Sequence, residues 1–484
     1  MMLYNWKAQD FNTSTKESNM IRTFVKLFAI IALIILLRPY FDGFLTKEQD
    51  GLVDGIAFAG MTDAVTFDDF VTDFDFGVGA FPIIRIYSEE PGIHRNDWIR
   101  SRVSISNTYS EFEIDNVSSR IRGRGNSSWV WPKKPFRIRF DTPIAMLDSG
   151  HAARDWTFIA NHFDNSLMRN YAAYYFASLL DGMYVAPFAR FIDVYFNGEY
   201  QGVYMVSIQH SYIVDGQVYV TYAPDPTVSE YLIELDFRAR ADTMFEDFIF
   251  VNMHSYEIRY PTGQDLTIEH ARYVRDFLYN LEGLLLQRDE AIFDIIHLPS
   301  FVDYYIVREL FKEADAGLSS VFFQIRGQGD NRRLEMGPVW DFDRSTGNSN
   351  QTRNQMTFEY HLRSPYGIDA GIVHHWFYFL LDMPVFFDAV TKRWNEVMQD
   401  QFLQLINHMQ YTAITYESSF DRNFVRWPIL GERHAMQTEA IGQIDTFIGH
   451  VEYVINFLEI RSEWLYEYFN SRCCRNPWCE NNMN

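Results

Sequence analysis

The 484-residue chain has three cysteines, and all stand near its end: Cys473, Cys474 and Cys479. No disulfide scaffold can therefore staple the body. A Cys-Cys-x4-Cys spacing without a nearby His is also a poor zinc set. A local disulfide, an intermolecular link and a reduced tail all fit that spacing. Basic charge is scarce as well: 42 Lys and Arg stand against 64 Asp and Glu, a formal net charge of −22. Nucleic-acid binding needs a basic footprint, so no nucleic-acid partner is expected. The surface reads as soluble and self-repelling. No repeat of fixed period is visible. Nor does any apolar run suffice alone to span a bilayer. The uninterrupted core from Leu27 to Leu37 has eleven residues, about 17 Å as a helix against roughly 30 Å of hydrocarbon.

That run lengthens from Phe24 to Phe41 if Lys26 and Arg38 snorkel. Lys7, Lys16, Arg22 and Lys26 precede its core, so the positive-inside rule puts the N-terminus in the cytoplasm. No small-x-small cleavage site follows at a usable distance. Residues 21–41 read first as a signal anchor or transmembrane segment, then as a signal peptide, and last as a buried helix. The first two place the rest of the chain outside the cytoplasm, membrane-anchored or secreted. Around this segment, residues 1–20 form a cytoplasmic or disordered N-terminus. Residues 42–79 are an acidic linker, with Asp68, Asp69, Asp73 and Asp75 among phenylalanines. A folded domain fills 80–470, and 471–484 is the Cys-containing tail.

What is plentiful is apolar and aromatic surface, 47% and 17% of the residues, enough for a large core. The patterning is α+β, with a β-rich N-terminal half and a helical C-terminal half. Phe81–Ile86 and Val103–Ile114 read as strands. Ile121 to Trp129 is a glycine-bearing loop with Arg122 and Arg124. Lys133 to Phe140 alternates basic and apolar residues, so one face is buried and the other presents Arg137 and Arg139. A loop beside such a strand can hold a polyphosphate. It can equally be a hairpin with a solvated basic edge. Ser166 to Leu180 has helical spacing, with Asp164 and Ser166 as ordinary cap types. Asn197-Gly198 is a strong hairpin signal between Arg190–Phe196 and Gln201–Val206. Thr267 opens a helix to Gln287, and Ser300 caps another from Phe301 to Phe311. Residues 371–470 read as helical with little visible chemistry.

The most informative stretch is Gly337-Pro338-Val339-Trp340-Asp341-Phe342-Asp343. Its two carboxylates stand one residue apart in an apolar frame. Buried and unpaired they would be costly, so a cation or strong hydrogen bonds are expected. Hard oxygen ligands favour Mg²⁺ or Mn²⁺. A turn-capping Asp with Trp340 as core filler is the plainer alternative.

Six ordered motifs resemble the CotH kinase family, atypical protein kinases related to spore coat protein H. They are Arg122 to Trp129 with Lys133-Lys134-Pro135-Phe136; Trp156 with Asp164 to Asn170; Asn197 to Tyr204; Tyr231 to Asp236; Glu309 to Ser320; and Gly337 to Asn348. The resemblance runs from about Phe81 to about Tyr468. It implies a reduced protein-kinase-like two-lobed fold, and an ATP- and divalent-metal-dependent kinase acting on Ser or Thr of surface or coat proteins. By motif match, Asp315 is the catalytic aspartate and Asp341 a metal ligand, with Asp343 assisting. In ordinary kinases an Asn five residues after the catalytic Asp meets metal; that offset gives Ser320 here. Arg122, Arg124, Lys134 and Arg137 are candidates for the phosphates.

Two departures stand out. An acidic residue that the family often carries after the Gly202–Tyr204 strand is absent at Ile208, where Glu234 can substitute. Glu313 stands where the family prefers Asn, a second carboxylate beside Asp315. These departures, with the membrane segment and acidic stretch, suit an inert kinase-like surface, adhesion or structural protein. A third reading takes Asp341-Phe342-Asp343 as the metal motif of a nucleotide-sugar glycosyltransferase, which requires a parallel sheet leading to Asp341.

Overall fold

The computed structural model describes residues 80–471, apart from 126, 185, 209–212, 215–216, 219, 237–247, 252–253, 315–318 and 351–375. Residues 213–214, 217–218 and 248–251 are described as backbone only. The chain divides into two compact units, Met1–Phe67 and Asp68–Asn484, and every described residue belongs to the second. The segment 21–41, the acidic stretch 42–79, Asp315 and the three cysteines lie outside the described residues. Among the described residues, no helix is long and apolar enough to cross a membrane.

The N-terminal strands close on themselves. They are β1 (Ile83–Ser88), β2 (Ile99–Ser106), β3 (Ile114–Gly123), β4 (Phe136–Ala145), β5 (Ala152–Ile159), β6 (Arg190–Phe196) and β7 (Glu199–Ile208). They form a barrel in the order β1-β2-β3-β4-β5-β7-β6. Parallel pairing of β1 with β6 closes it; its other pairings are antiparallel. The two-residue alternation of β4 shows why it curls this way. Phe136, Ile138 and Phe140 are buried in the barrel core, while Arg137 and Arg139 are only half-buried. Trp156 and the isoleucines at 84, 121 and 138 fill the interior. The β6–β7 turn is Asn197-Gly198, both at positive φ, as a two-residue hairpin demands.

After a short pair, β8 (Ile213–Val214) and β9 (Gln217–Val218), comes a second sheet. Its strands are β10 (Tyr231–Leu235), β11 (Phe248–Val251), β12 (His254–Tyr260), β13 (Val321–Arg326) and β14 (Arg333–Met336), in the order β11-β12-β10-β13-β14. Each of its pairings is antiparallel. The sheet that leads into Asp341 is therefore not the parallel one a nucleotide-sugar glycosyltransferase requires.

The helices are α1 (Arg169–Ser178), α2 (Ile268–Gln287), α3 (Leu298–Phe311), α4 (Trp376–Leu380), α5 (Pro384–Val397), α6 (Gln401–Thr415), α7 (Glu417–Arg426) and α8 (Phe447–Asn470). Thr267 caps α2 through its side chain, with His270 returning the bond. The start of α3 differs from the sequence reading. Pro299 sits in its first turn and moves the helix start to Leu298, so Ser300 lies inside the helix, donating to His297 O. Twelve of the fourteen α3 residues are buried. A helix buried all round is a central post rather than a surface element, and α3 packs against α1, α5, α8 and β14. The overall architecture is mixed α+β, β-rich first and helical second.

Candidate active site

The end of β3 and the loop after it bring Arg122 and Arg124 to one end of the barrel. Gly123 is required by close packing: a side chain there would strike the Trp129 ring at 2.3 Å. Gly125 turns the chain at φ +85°, a conformation open to glycine. Between them Arg124 places its guanidinium 5.7 Å from the centre of the Trp340 ring. Burial lowers the Arg124 pKa, and the charges of Asp341, Tyr174 and Glu234 act to restore it. Arg124 is thus surrounded by the residues of the opposite wall.

That wall is the β13–β14 hairpin. Its antiparallel pairing returns the chain so that Ser320, just before β13, meets Asp341, just after β14. Ser320 Oγ donates to Asp341 Oδ2 at 3.3 Å. Both residues hold positive φ, +57° and +69°. Non-glycine residues in that region are uncommon and cluster at functional sites. Several neighbours hold them there. The Asp341 amide donates to Tyr174 Oη at 3.4 Å, and the Phe342 amide donates to Asn170 Oδ1 at 2.6 Å. Asn170 in turn donates to Asn161 Oδ1 at 3.0 Å. Burial and the neighbouring Asp341 charge raise the Tyr174 pKa, so its phenol stays protonated.

Arg308, fully buried on α3, ties the two loops together. Its Nη2 donates to Ser320 O at 2.8 Å and Trp340 O at 3.0 Å. Nη1 donates to Glu313 Oε2 at 2.7 Å, and Nε to Tyr304 Oη at 3.0 Å. One cation therefore grips both loops. Glu313 is the carboxylate that stood out as a departure; its charge is balanced by Arg308. Arg169 provides a similar tie. It pairs with buried Asp164 and donates through Nε to Ser345 O at 3.1 Å. Asp164 also receives the Ser166 amide and hydroxyl, so its capping role and its ion pair coexist.

Between the two walls lies a cleft of about 510 Å³, within the range of small-molecule sites. Of the residues singled out from sequence, Arg122, Arg124, Arg137, Ser320, Asp341 and Asp343 line it together. Lys134 does not. Its Nζ donates to Trp129 O at 2.7 Å and lies over the Trp129 ring. Lys133 lines the cleft instead, buried, donating to Val203 O and to Asn423 Oδ1. Burial pushes its ammonium down to about 7, with Asp193 opposing. Asp315 lies outside the described residues. Glu234, itself buried, also lines the cleft and accepts Arg259 Nε at 2.6 Å, so an ion pair stands close to Arg124.

The cleft's other end is aromatic, which the sequence did not disclose. Trp131 and His434 approach to 4.1 Å between centres, and Phe163 stacks on His434 at 5.6 Å. His162 lines the cleft beside them; its Nδ1 is buried with no hydrogen-bond partner among the described residues. Burial, with Lys133 and His434 nearby, pushes the His162 pKa down to about 4. His162 is therefore neutral at pH 7. Burial likewise pushes His408 to about 3 and His450 to about 4.

These three buried rings give an expected acid response. Between about pH 6.5, the ordinary value, and about pH 4, the unfolded chain binds protons that the folded chain refuses. Stability is then present in full above pH 6.5 and falls with pH through that window. His408→Gln should flatten the slope of melting temperature against pH in this range. An unchanged slope contradicts the assignment.

Chemically, the cleft opposes arginines to carboxylates and a hydroxyl. The donors fit Mg²⁺, which takes one or two carboxylates and completes its shell with water and phosphate. Among the described residues no cluster of three His, Cys, Asp or Glu forms a cage for a metal by itself. A family model described as CotH kinase protein matches residues 121–465, which include the site from Arg122 to Arg344. No curated protein matches the chain.

Proposed function

The chain belongs to the CotH kinase family, and from that premise we propose that it transfers the γ-phosphoryl group of ATP to Ser or Thr hydroxyls of a surface or coat protein outside the cytoplasm, with Mg²⁺ or Mn²⁺. The observation that carries the reading is the cleft: Arg122, Arg124 and Arg137 on one wall face Asp341, Asp343 and Ser320 on the other. Phosphoryl transfer calls for positioning and charge neutralisation more than for covalent chemistry.

The roles divide as follows. Arg124, which feels the charges of Asp341 and Glu234, takes the phosphate oxygens and offsets their charge. Asp341 and Asp343, with the Ser320 hydroxyl, hold the divalent cation, which supplies neutralisation of the phosphate charge. Asp315 accepts the proton of the attacking hydroxyl and orients it. Arg308 holds Glu313, two residues before Asp315, and Ser320, five after it. Trp131 and Phe163, backed by His434, present ring faces for the nucleotide base, and neutral His162 stands beside them. Aromatic stacking on a base contributes about 1–3 kcal/mol.

The test is transfer of label from ATP by the full chain, with Mg²⁺ or Mn²⁺, to itself and to a generic Ser/Thr acceptor, beside Asp315→Ala. Label in the wild type that the variant lacks is the expected result. Absence of both label and nucleotide-induced thermal shift overturns the kinase and favours the inert surface protein. A shift without label means a nucleotide-binding protein that lacks transfer. For the base site, Trp131→Ala should raise KM for ATP about tenfold or more, from the stacking energy above, with kcat little changed. An unchanged KM removes Trp131 from the nucleotide site.

A further inference from the structure

The barrel's outer face carries arginines that no fold requires. Arg100 on β2 stands directly opposite Arg120 on β3, which stands opposite Arg139 on β4. One residue pair along, Arg122 faces Arg137. Like charges placed directly across strands are destabilising. Asp155 relieves only one end of these rows, accepting Arg139 Nε at 2.7 Å and Arg137 Nε at 3.0 Å. Trp98 spreads beneath Arg122, Arg137 and Arg139, whose guanidinium centres lie 4.7, 5.6 and 4.8 Å from its ring. Arg100 and Arg120 are exposed, and neither is ion-paired among the described residues. All this basic surface stands on a protein of net charge −22, and its inner row, Arg122 and Arg137, already lines the cleft.

We propose that this face docks a protein segment that already carries phosphoserines, next to the site where phosphate is transferred. Three observations select that occupant. The two arginine rows lie two residues apart along β3 and β4, about 7 Å. That matches the same-side spacing of side chains at i and i+2 in an extended peptide. Arginine forks suit phosphate oxygens in pairs. The rows run out of the cleft itself, so a segment phosphorylated there passes onto them without leaving the protein. A long nucleic acid would meet the acidic remainder of the surface. The docking rests on the kinase reading only for the source of the phosphate.

The test uses the full chain and a fluorescein-labelled peptide with two phosphoserines one residue apart, beside an unphosphorylated twin and a twin with Glu in both places. Fluorescence anisotropy should show the phosphopeptide bound about tenfold or more tightly than either twin at low salt, and less so as salt rises. Arg100→Ser with Arg120→Ser should abolish the preference. Its melting temperature should not fall, because like-charge repulsion is removed. Equal binding of phosphorylated and unphosphorylated peptides overturns the proposal, as does equal binding of the Glu twin or undiminished binding by the double variant. A phosphopeptide preference in a protein that transfers no label from ATP upholds the docking face and sinks the kinase reading alone.

Discussion

Asp341→Asn is expected to lower phosphoryl transfer by about three orders of magnitude, the scale on which charge-stabilising groups act in such sites. Asn is the informative substitution because Asp341 sits at φ +69°, a region that Asn tolerates and Ala does not. The side chain gives up little else. Among the described residues its carboxylate takes one long hydrogen bond, from Ser320 Oγ at 3.3 Å. Folding should therefore survive, with the melting temperature little changed, while the metal-dependent rate collapses. Initial rates over a titration of Mg²⁺ and Mn²⁺ give the readout. Transfer at the wild-type rate would remove Asp341 from the metal site and leave the cleft without its central ligand.

Arg308→Met should cost about 3–5 kcal/mol of stability, as expected when one partner of a buried ion pair is removed. The loss has three sources. Glu313 keeps a buried carboxylate without its cation, and the carbonyls of Ser320 and Trp340 lose their shared donor. Denaturant unfolding measures the cost; activity measures whether the two loops still meet. A second change, Glu313→Gln, should recover part of the stability by removing the stranded charge. It should not recover the rate, because the carbonyls remain ungripped. An Arg308→Met protein with wild-type denaturation midpoint would show that the buried pair is nearly neutral to stability.

Much of this was legible beforehand, and the gaps have physical causes. The β6–β7 hairpin followed from Asn-Gly chemistry, and α2 from its Thr cap and amphipathic spacing, because both signals are local. Closure of the barrel did not, because the pairing of β1 with β6 spans more than a hundred residues and leaves no local mark. Lys133 and Lys134 are adjacent in sequence, and which one turned inward depended on Val203 and Asn423, far along the chain. Arg308 left a trace that went unread: a charged residue inside an apolar helix needs a buried partner. The aromatic wall is assembled from three separate segments, around Trp131, His162 and His434, so no single window of sequence contains it.

A barrel that closes on itself has no unpaired strand to offer. A partner cannot read this barrel by adding its own backbone to a sheet, a route by which main-chain hydrogen bonds capture extended peptides. Whatever is recognised on β2, β3 and β4 must be recognised by its functional groups. Selectivity on this surface is thereby decoupled from the partner's main chain and handed to chemistry that a single modification can switch.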